Sequence, residues 1–227
     1  MLLKYLIIIV NFFNIIFFYF SKKKIIVIDK SDLRYLVIDK YLTNNTEHIY
    51  EYSHITDFTD LFKYTEVTTI PLLDTSNVTN MNNMFDQCES LTTIPLFNTY
   101  NVTSMEYMFF GCYYLTTIPL FDTSKVINME SIFEECHSLS HIPLFDTSNV
   151  TTMKYMFYQC EKVISIPLFN ISNVIDMSYI FSCCSSLPKI EQIKFFYQKD
   201  KLLLKSLETN PELFSEEKYD ILLSKYK

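Results

Sequence analysis

Residues 68–91 read TTIPLLDTSNVTNMNNMFDQCESL, and the phrase restarts at Thr92 and runs through five copies without an insertion. Its prolines fall at Pro71, Pro95, Pro119, Pro143 and Pro167, and its cysteines at Cys88, Cys112, Cys136, Cys160 and Cys184, so both columns step by 24 residues. A fixed period in this range is the mark of a solenoid, in which each unit buries its apolar face only against its neighbours. No other feature limits the possible folds as tightly. A strict step also leaves no room for the insertion loops on which a repeat protein carries catalytic residues.

Composition sets the outer bounds. The chain has 227 residues, 49% of them hydrophobic, enough for one domain with a substantial core. Alanine and tryptophan are absent and Gly111 is the single glycine, so a glycine-rich phosphate loop is excluded. Net charge is −7, and residues 68–187 hold 11 Asp and Glu against 3 Lys, leaving both flanks near neutral. So acidic an array repels phosphates, which argues against a nucleic-acid partner and leaves a metal ion or a basic protein as the partners its charge would suit.

Residues 1–20, MLLKYLIIIVNFFNIIFFYF, are almost wholly apolar and are followed by Lys22, Lys23 and Lys24. Their length matches a bilayer core, and the large residues around Ser21 make a poor cleavage site. The expectation is an uncleaved anchor within residues 1–24, placing the protein at a membrane or cell surface. A buried N-terminal element and a cleaved signal are the alternatives, and the sequence leaves the side of the membrane open. Residues 25–67 follow as an N-terminal cap, and within them Phe58, Leu61 and Phe62 echo Met81, Met84 and Phe85 as a degenerate half-repeat with one residue missing.

Within residues 68–187 two periods coexist. Val78, Met81, Met84, Phe85 and Cys88 are spaced three to four apart and predict one face of a helical turn. Asp74–Asn77, ahead of that face, supply side chains suited to capping or turning the chain. After it, Leu91, Ile94 and Leu96 predict a short strand with Ile94 and Leu96 inward. Proline cannot donate to a ladder, so the strand should be only two to four residues long. Cysteines locked to the repeat predict buried, reduced thiols, with disulfides between neighbouring repeats as the alternative.

The spacing LxxIxL, with the fuller phrase DTSNVTxMxxMFxxCxxL from Asp74 to Leu91, resembles the BspA-like leucine-rich repeat family of bacterial surface proteins and lipoproteins. The resemblance covers residues 68–187. It implies an α/β leucine-rich-repeat-like solenoid, with short parallel strands on one face and helical turns on the other, and a role in adhesion or protein interaction. Two departures stand out: only Gly111 keeps the family's glycine before the cysteine, and no cysteine precedes Cys88 to carry a lipid. Residues 188–227 predict a helical C-terminal cap, with Asn210 and Pro211 opening its last helix.

No catalytic, cofactor or metal constellation stands out. His137 beside Cys136 is one pair where zinc needs four ligands, and the Asp74, Asp122 and Asp146 column turns to asparagine at Asn98 and Asn170. The Asn-x-Ser/Thr sites at Asn44, Asn77, Asn101, Asn149 and Asn170 matter only in a eukaryotic secretory pathway. What is left is a non-enzymatic interaction protein or, alternatively, a structural spacer without a specific ligand. If Ile94 and Leu96 point inward, strict alternation turns Thr93, Pro95 and Phe97 outward. The copies Thr117, Pro119, Phe121, His141, Pro143, Phe145, Pro167 and Phe169 then complete a candidate partner-binding face. The alternative is a bend after Leu96 that tucks the phenylalanines into the core.

Overall fold

The computed structural model describes residues 24–38, 48–198 and 215–224. Residues 1–20, with the anchor expectation, and Asn44 lie outside them; among the described residues no helix is long and apolar enough to cross a membrane.

A small βαβ unit leads in. β1 (Lys24–Val27) pairs in parallel with β2 (His48–Glu51), in the register Ile25↔Ile49 and Val27↔Glu51. Between them lies α1 (Lys30–Ile38), whose start is fixed by the Asp29 carboxylate accepting the Asp32 N–H at 2.8 Å. α1 buries Leu33 and Val37 in the same apolar core as the repeats. Arg34 ties it down further by donating to the Lys63 carbonyl at 2.9 Å.

Each repeat is a coil of tight turns joined to its neighbours by backbone hydrogen bonds. The Met81, Asn83, Phe85 and Gln87 N–H groups donate to the Ser104, Glu106, Met108 and Phe110 carbonyls of the next repeat, at 2.7–3.1 Å. The intervening N–H groups close turns within the repeat, from Met84 to Met81, Asp86 to Asn83 and Cys88 to Phe85. The chain turns so tightly because two residues in every repeat are left-handed: Asn83 and Gln87, then Tyr107 and Gly111, Ser131 and Glu135, Tyr155 and Gln159, Tyr179 and Cys183. A left-handed residue at the third position is what a type II turn requires. Gly111, at φ 67°, meets that demand without strain and also gives room to Gln87, whose Nε2 lies 2.7 Å from where a Cβ at 111 would stand.

The expected helical turn is therefore corrected. Val78, Met81, Met84, Phe85 and Cys88 all face inward, but along successive turns and not along an α-helix. An α-helix spends its N–H groups on itself, whereas here every second one bonds the next repeat. The spacing of three to four residues is common to both, which is why the pattern imitates a helix.

The strand expectation changes too. The unbroken row of parallel bridges runs through Asp57, Asn80, Ser104, Asn128, Thr152 and Asp176, one residue per repeat. In the row where Ile94 and Leu96 predicted strands, bridges join only Thr69 to Thr93 and Thr117 to His141. Proline two residues further on has no N–H to extend them. The degenerate half-repeat joins the main ladder directly: Phe58, Asp60, Phe62 and Tyr64 donate to Asn80, Asn82, Met84 and Asp86.

Side-chain columns supply the rest. Phe62, Phe85, Phe109, Phe133, Phe157 and Phe181 stack with ring centroids 5.5–6.1 Å apart. A buried threonine column runs beside them, each hydroxyl donating to the next repeat: Thr75 to Asn98, Thr99 to Asp122, Thr123 to Asp146 and Thr147 to Asn170, at 2.8–2.9 Å. The cysteine column works in the other direction, with Cys112, Cys136, Cys160 and Cys184 thiols donating to the Phe85, Phe109, Phe133 and Phe157 carbonyls at 2.9–3.2 Å. All six cysteines are free thiols. Burial pushes those at 112, 136 and 160 well above the ordinary thiol value and Cys184 up to about 12, so they remain protonated donors.

The far end is closed by α2 (Lys189–Phe196), whose buried Phe195 meets Phe169 and Phe181 edge-on at 6.2 and 5.0 Å. α3 (Glu216–Leu223) begins after Ser215, which accepts the Lys218 N–H, and packs Leu223 on Ile193. The helix start expected at Asn210 and Pro211 lies outside the described residues.

Candidate partner-binding face

The outer surface is decided by three residues, Pro119-Leu120-Phe121, and their copies. The Phe121 N–H donates to the Pro119 carbonyl two residues back at 3.0 Å, and Phe145 to Pro143 and Phe169 to Pro167 do the same at 3.0 and 2.9 Å. A bond from residue i+2 to residue i is a γ-turn, of the inverse form because none of the central leucines has a positive φ. The turn puts its central residue at the apex and changes the phase of the chain. Ile118 points in, Leu120 points out, and Phe121 points in again.

The candidate face therefore needs correcting in part. Thr93, Thr117 and His141 are exposed, and Pro95, Pro119, Pro143 and Pro167 are half-buried. Phe97, Phe121, Phe145 and Phe169 are buried, each at most 4% exposed, packed against the phenylalanine stack. Leu96, expected in the core, stands outside. With Leu72, Leu120, Leu144 and Leu168 it forms a column of side chains 57–70% exposed. A signal for this arrangement was present in the sequence. Phenylalanine gains more than leucine by burial, and the proline before the pair already ends the ladder that would enforce alternation.

One leucine per repeat, flanked by prolines, makes a continuous apolar stripe, which single scattered surface leucines do not. Two residues beyond each leucine comes the Asp74, Asn98, Asp122, Asp146, Asn170 column, all exposed. Each side chain accepts an N–H two residues on, as Asp122 from Ser124 and Asn170 from Ser172 at 3.0 Å, which is an Asx-turn open to aspartate and asparagine alike. Hydrogen bonds from Ser124 and from Ser148 hold the Asp122 and Asp146 carboxyls below the usual carboxylate range. Both thus stay negative throughout the neutral and mildly acid range.

A lowered folded-state value means that the contribution to stability is present above the unfolded value and is lost as pH falls through the folded one. Asp146→Asn is expected to keep the turn, changing stability at pH 7 by less than about 0.5 kcal/mol. It should also lose less melting temperature than the unaltered chain below about pH 4, read by circular dichroism.

Asn77, Asn101 and Asn149 donate their side-chain amides to Ser53, Ser76 and Ser124 carbonyls at 2.7–2.9 Å, so these side chains tie repeats together. Among the described residues no three His, Cys, Asp or Glu side chains gather in a metal-binding arrangement.

No curated protein matches the chain. The crystal structure of a leucine-rich repeat protein from Eubacterium ventriosum ATCC 27560 is similar to it, with 23% sequence identity and a TM-score of 0.44. The likeness covers 60% of this chain and 36% of that one, so the chain spans little more than a third of that protein's length. The family described as "Mycoplasma protein of unknown function, DUF285" matches twice in succession, over residues 32–117 and 114–196. These matches take in the cap, the half-repeat and all five copies, and the chain belongs to that family.

Proposed function

We propose that this chain is a non-enzymatic interaction module that binds a protein or surface ligand along the stripe formed by Leu72, Leu96, Leu120, Leu144 and Leu168. The observation that carries this reading is the exposure of five leucines in one column, four of which precede a buried phenylalanine and the first of which, Leu72, precedes the buried Leu73. Interchanging the two would hide the smaller apolar side chain from water and expose the larger. The phase change in fact leaves outside a residue whose burial is worth about 1.5–3 kcal/mol. The likeness of the repeat phrase to BspA-like leucine-rich repeats, which act in adhesion, supports the same reading. Membrane association through residues 1–20 belongs to the proposal and rests on the apolar run before Lys22–Lys24.

The test compares the chain with its L96S/L120S/L144S variant by quantitative cross-linking in cells that express it. A defined cross-linked product that disappears in the variant, at an unchanged melting temperature, is the expected result. Identical cross-linking in both would refute the stripe and favour a structural spacer. Protease treatment of intact cells, with digestion of the repeats scored before and after permeabilisation, checks the membrane placement.

A further inference from the structure

The chemistry of the occupant can be read from the spacing and charge of the stripe. The leucines recur once per repeat, and rows paired in parallel lie roughly 4.8 Å apart, so five leucines span about 20 Å. An α-helix laid along the row presents a seam residue every 3.5 positions, a step of about 5.2 Å, and stays in register over that length. A β-strand laid the same way presents one every ~6.7 Å and slips by a full repeat before the fifth leucine. The border is equally selective. Residues 68–74 and their four copies contain three aspartates and no lysine or arginine.

We infer that the stripe receives an amphipathic α-helix lying along the solenoid axis, its leucine-type seam on Leu72–Leu168 and its flanking Lys or Arg side chains facing Asp74, Asp122 and Asp146. This rests on the reading of the stripe as a binding face. The aspartates stand two repeats and then one repeat apart, about 10 and 5 Å, so the helix carries its basic residues about seven and then three to four positions apart. About 14 residues, four turns, cover the whole stripe.

The test uses the full chain and three fluorescein-labelled 14-residue peptides followed by anisotropy. One is a helix with leucines at the seam and lysines at the flanks. The second has glutamates for the lysines, and the third has the first peptide's composition with two central prolines that prevent helix formation. The lysine helix is expected to bind. It should lose at least about tenfold in affinity to L96S/L120S/L144S and about threefold to D122N/D146N. The glutamate helix should bind about tenfold more weakly than the lysine helix on the unaltered chain.

If the proline peptide binds as well as the lysine helix, the helical occupant is refuted while the stripe remains a binding face. If the glutamate helix matches the lysine helix, the basic border is refuted. A lysine helix that binds the serine variant undiminished, or that fails to bind the unaltered chain, refutes the inference. The stripe itself then stands or falls on the cross-linking result.

Discussion

Phe121→Ser is expected to destabilise the repeats by about 3–5 kcal/mol, whereas Leu120→Ser, one residue earlier, should change stability by no more than about 0.5 kcal/mol. The contrast follows from the γ-turn between Pro119 and Phe121, which separates adjacent apolar residues onto opposite sides of the chain. Phe121 is 3% exposed and lies 6.4 Å from both Phe97 and Phe109, nearly parallel to each. Truncation removes those ring contacts, leaves a cavity between two repeats, and adds a hydroxyl with no partner at hand. Leu120, 61% exposed, gives up little on losing its branch. Urea unfolding of both variants checks the pair. Similar losses would mean that the phase of the chain after Pro119 is not as described, and a cost confined to Leu120 would restore strict alternation.

This pair of residues also marks the limit of what the sequence could tell. The 24-residue step was enough to require a solenoid, and Val78, Met81, Phe85, Cys88, Leu91 and Ile94 do lie in its core. What the step could not show was how each repeat uses its N–H groups. The spacing of Val78, Met81, Met84 and Phe85 suits a helical face and a run of tight turns equally, and only the bonds from Met81 to Ser104 and from Phe85 to Met108 decide between them. Asp74–Asn77 was legible as a turn because an Asx-turn depends on one side chain and its near neighbours. Leu120 was harder to place, since its orientation depends on the bond from Phe121 to Pro119, between backbone groups that every sequence has, and only the larger phenylalanine and the ladder-ending proline hinted at it. The threonine and cysteine columns fall between these cases. The sequence predicts burial of the cysteines but reads the threonines only as turn residues; the donation of the two columns to opposite neighbours, Thr99 to Asp122 and Cys112 to Phe85, needs the stacked repeats. Of the two readings of the candidate face, the one that tucks the phenylalanines into the core agrees with the structure: Thr93, Thr117 and His141 are exposed, the prolines half-buried, and Phe97, Phe121, Phe145 and Phe169 buried, with Leu96 outside against expectation.

The second large effect concerns the repeat itself. Removing residues 116–139, one whole period, is expected to leave a cooperatively folded chain. Removing Tyr107 alone should abolish the cooperative transition. Excision joins Leu115 to Ser140, which holds the same place in its repeat as Thr116, so every column closes on its own kind. Thr99 then faces Asp146 in place of Asp122, Phe109 faces Phe157, and the Cys160 thiol reaches Phe109 as Cys136 did. Each repeat interacts only with its neighbours, so the loss is one repeat and one interface, and the urea m-value should fall by about a tenth. Tyr107 is a left-handed turn residue at φ 55°, and its N–H donates to Glu130. Without it Met108 and Phe109 shift by one place, against ladders on both sides that fix where their side chains point. Losing a buried methionine and a buried phenylalanine costs about 2–5 and 3–5 kcal/mol, together as much as a domain's whole stability of about 5–15 kcal/mol. Far-ultraviolet circular dichroism melts of the two deletions decide the matter. If the single-residue deletion melts like the intact chain, the ladder is not what fixes the register of the repeats. If the 24-residue deletion fails to fold, the repeats are not interchangeable units.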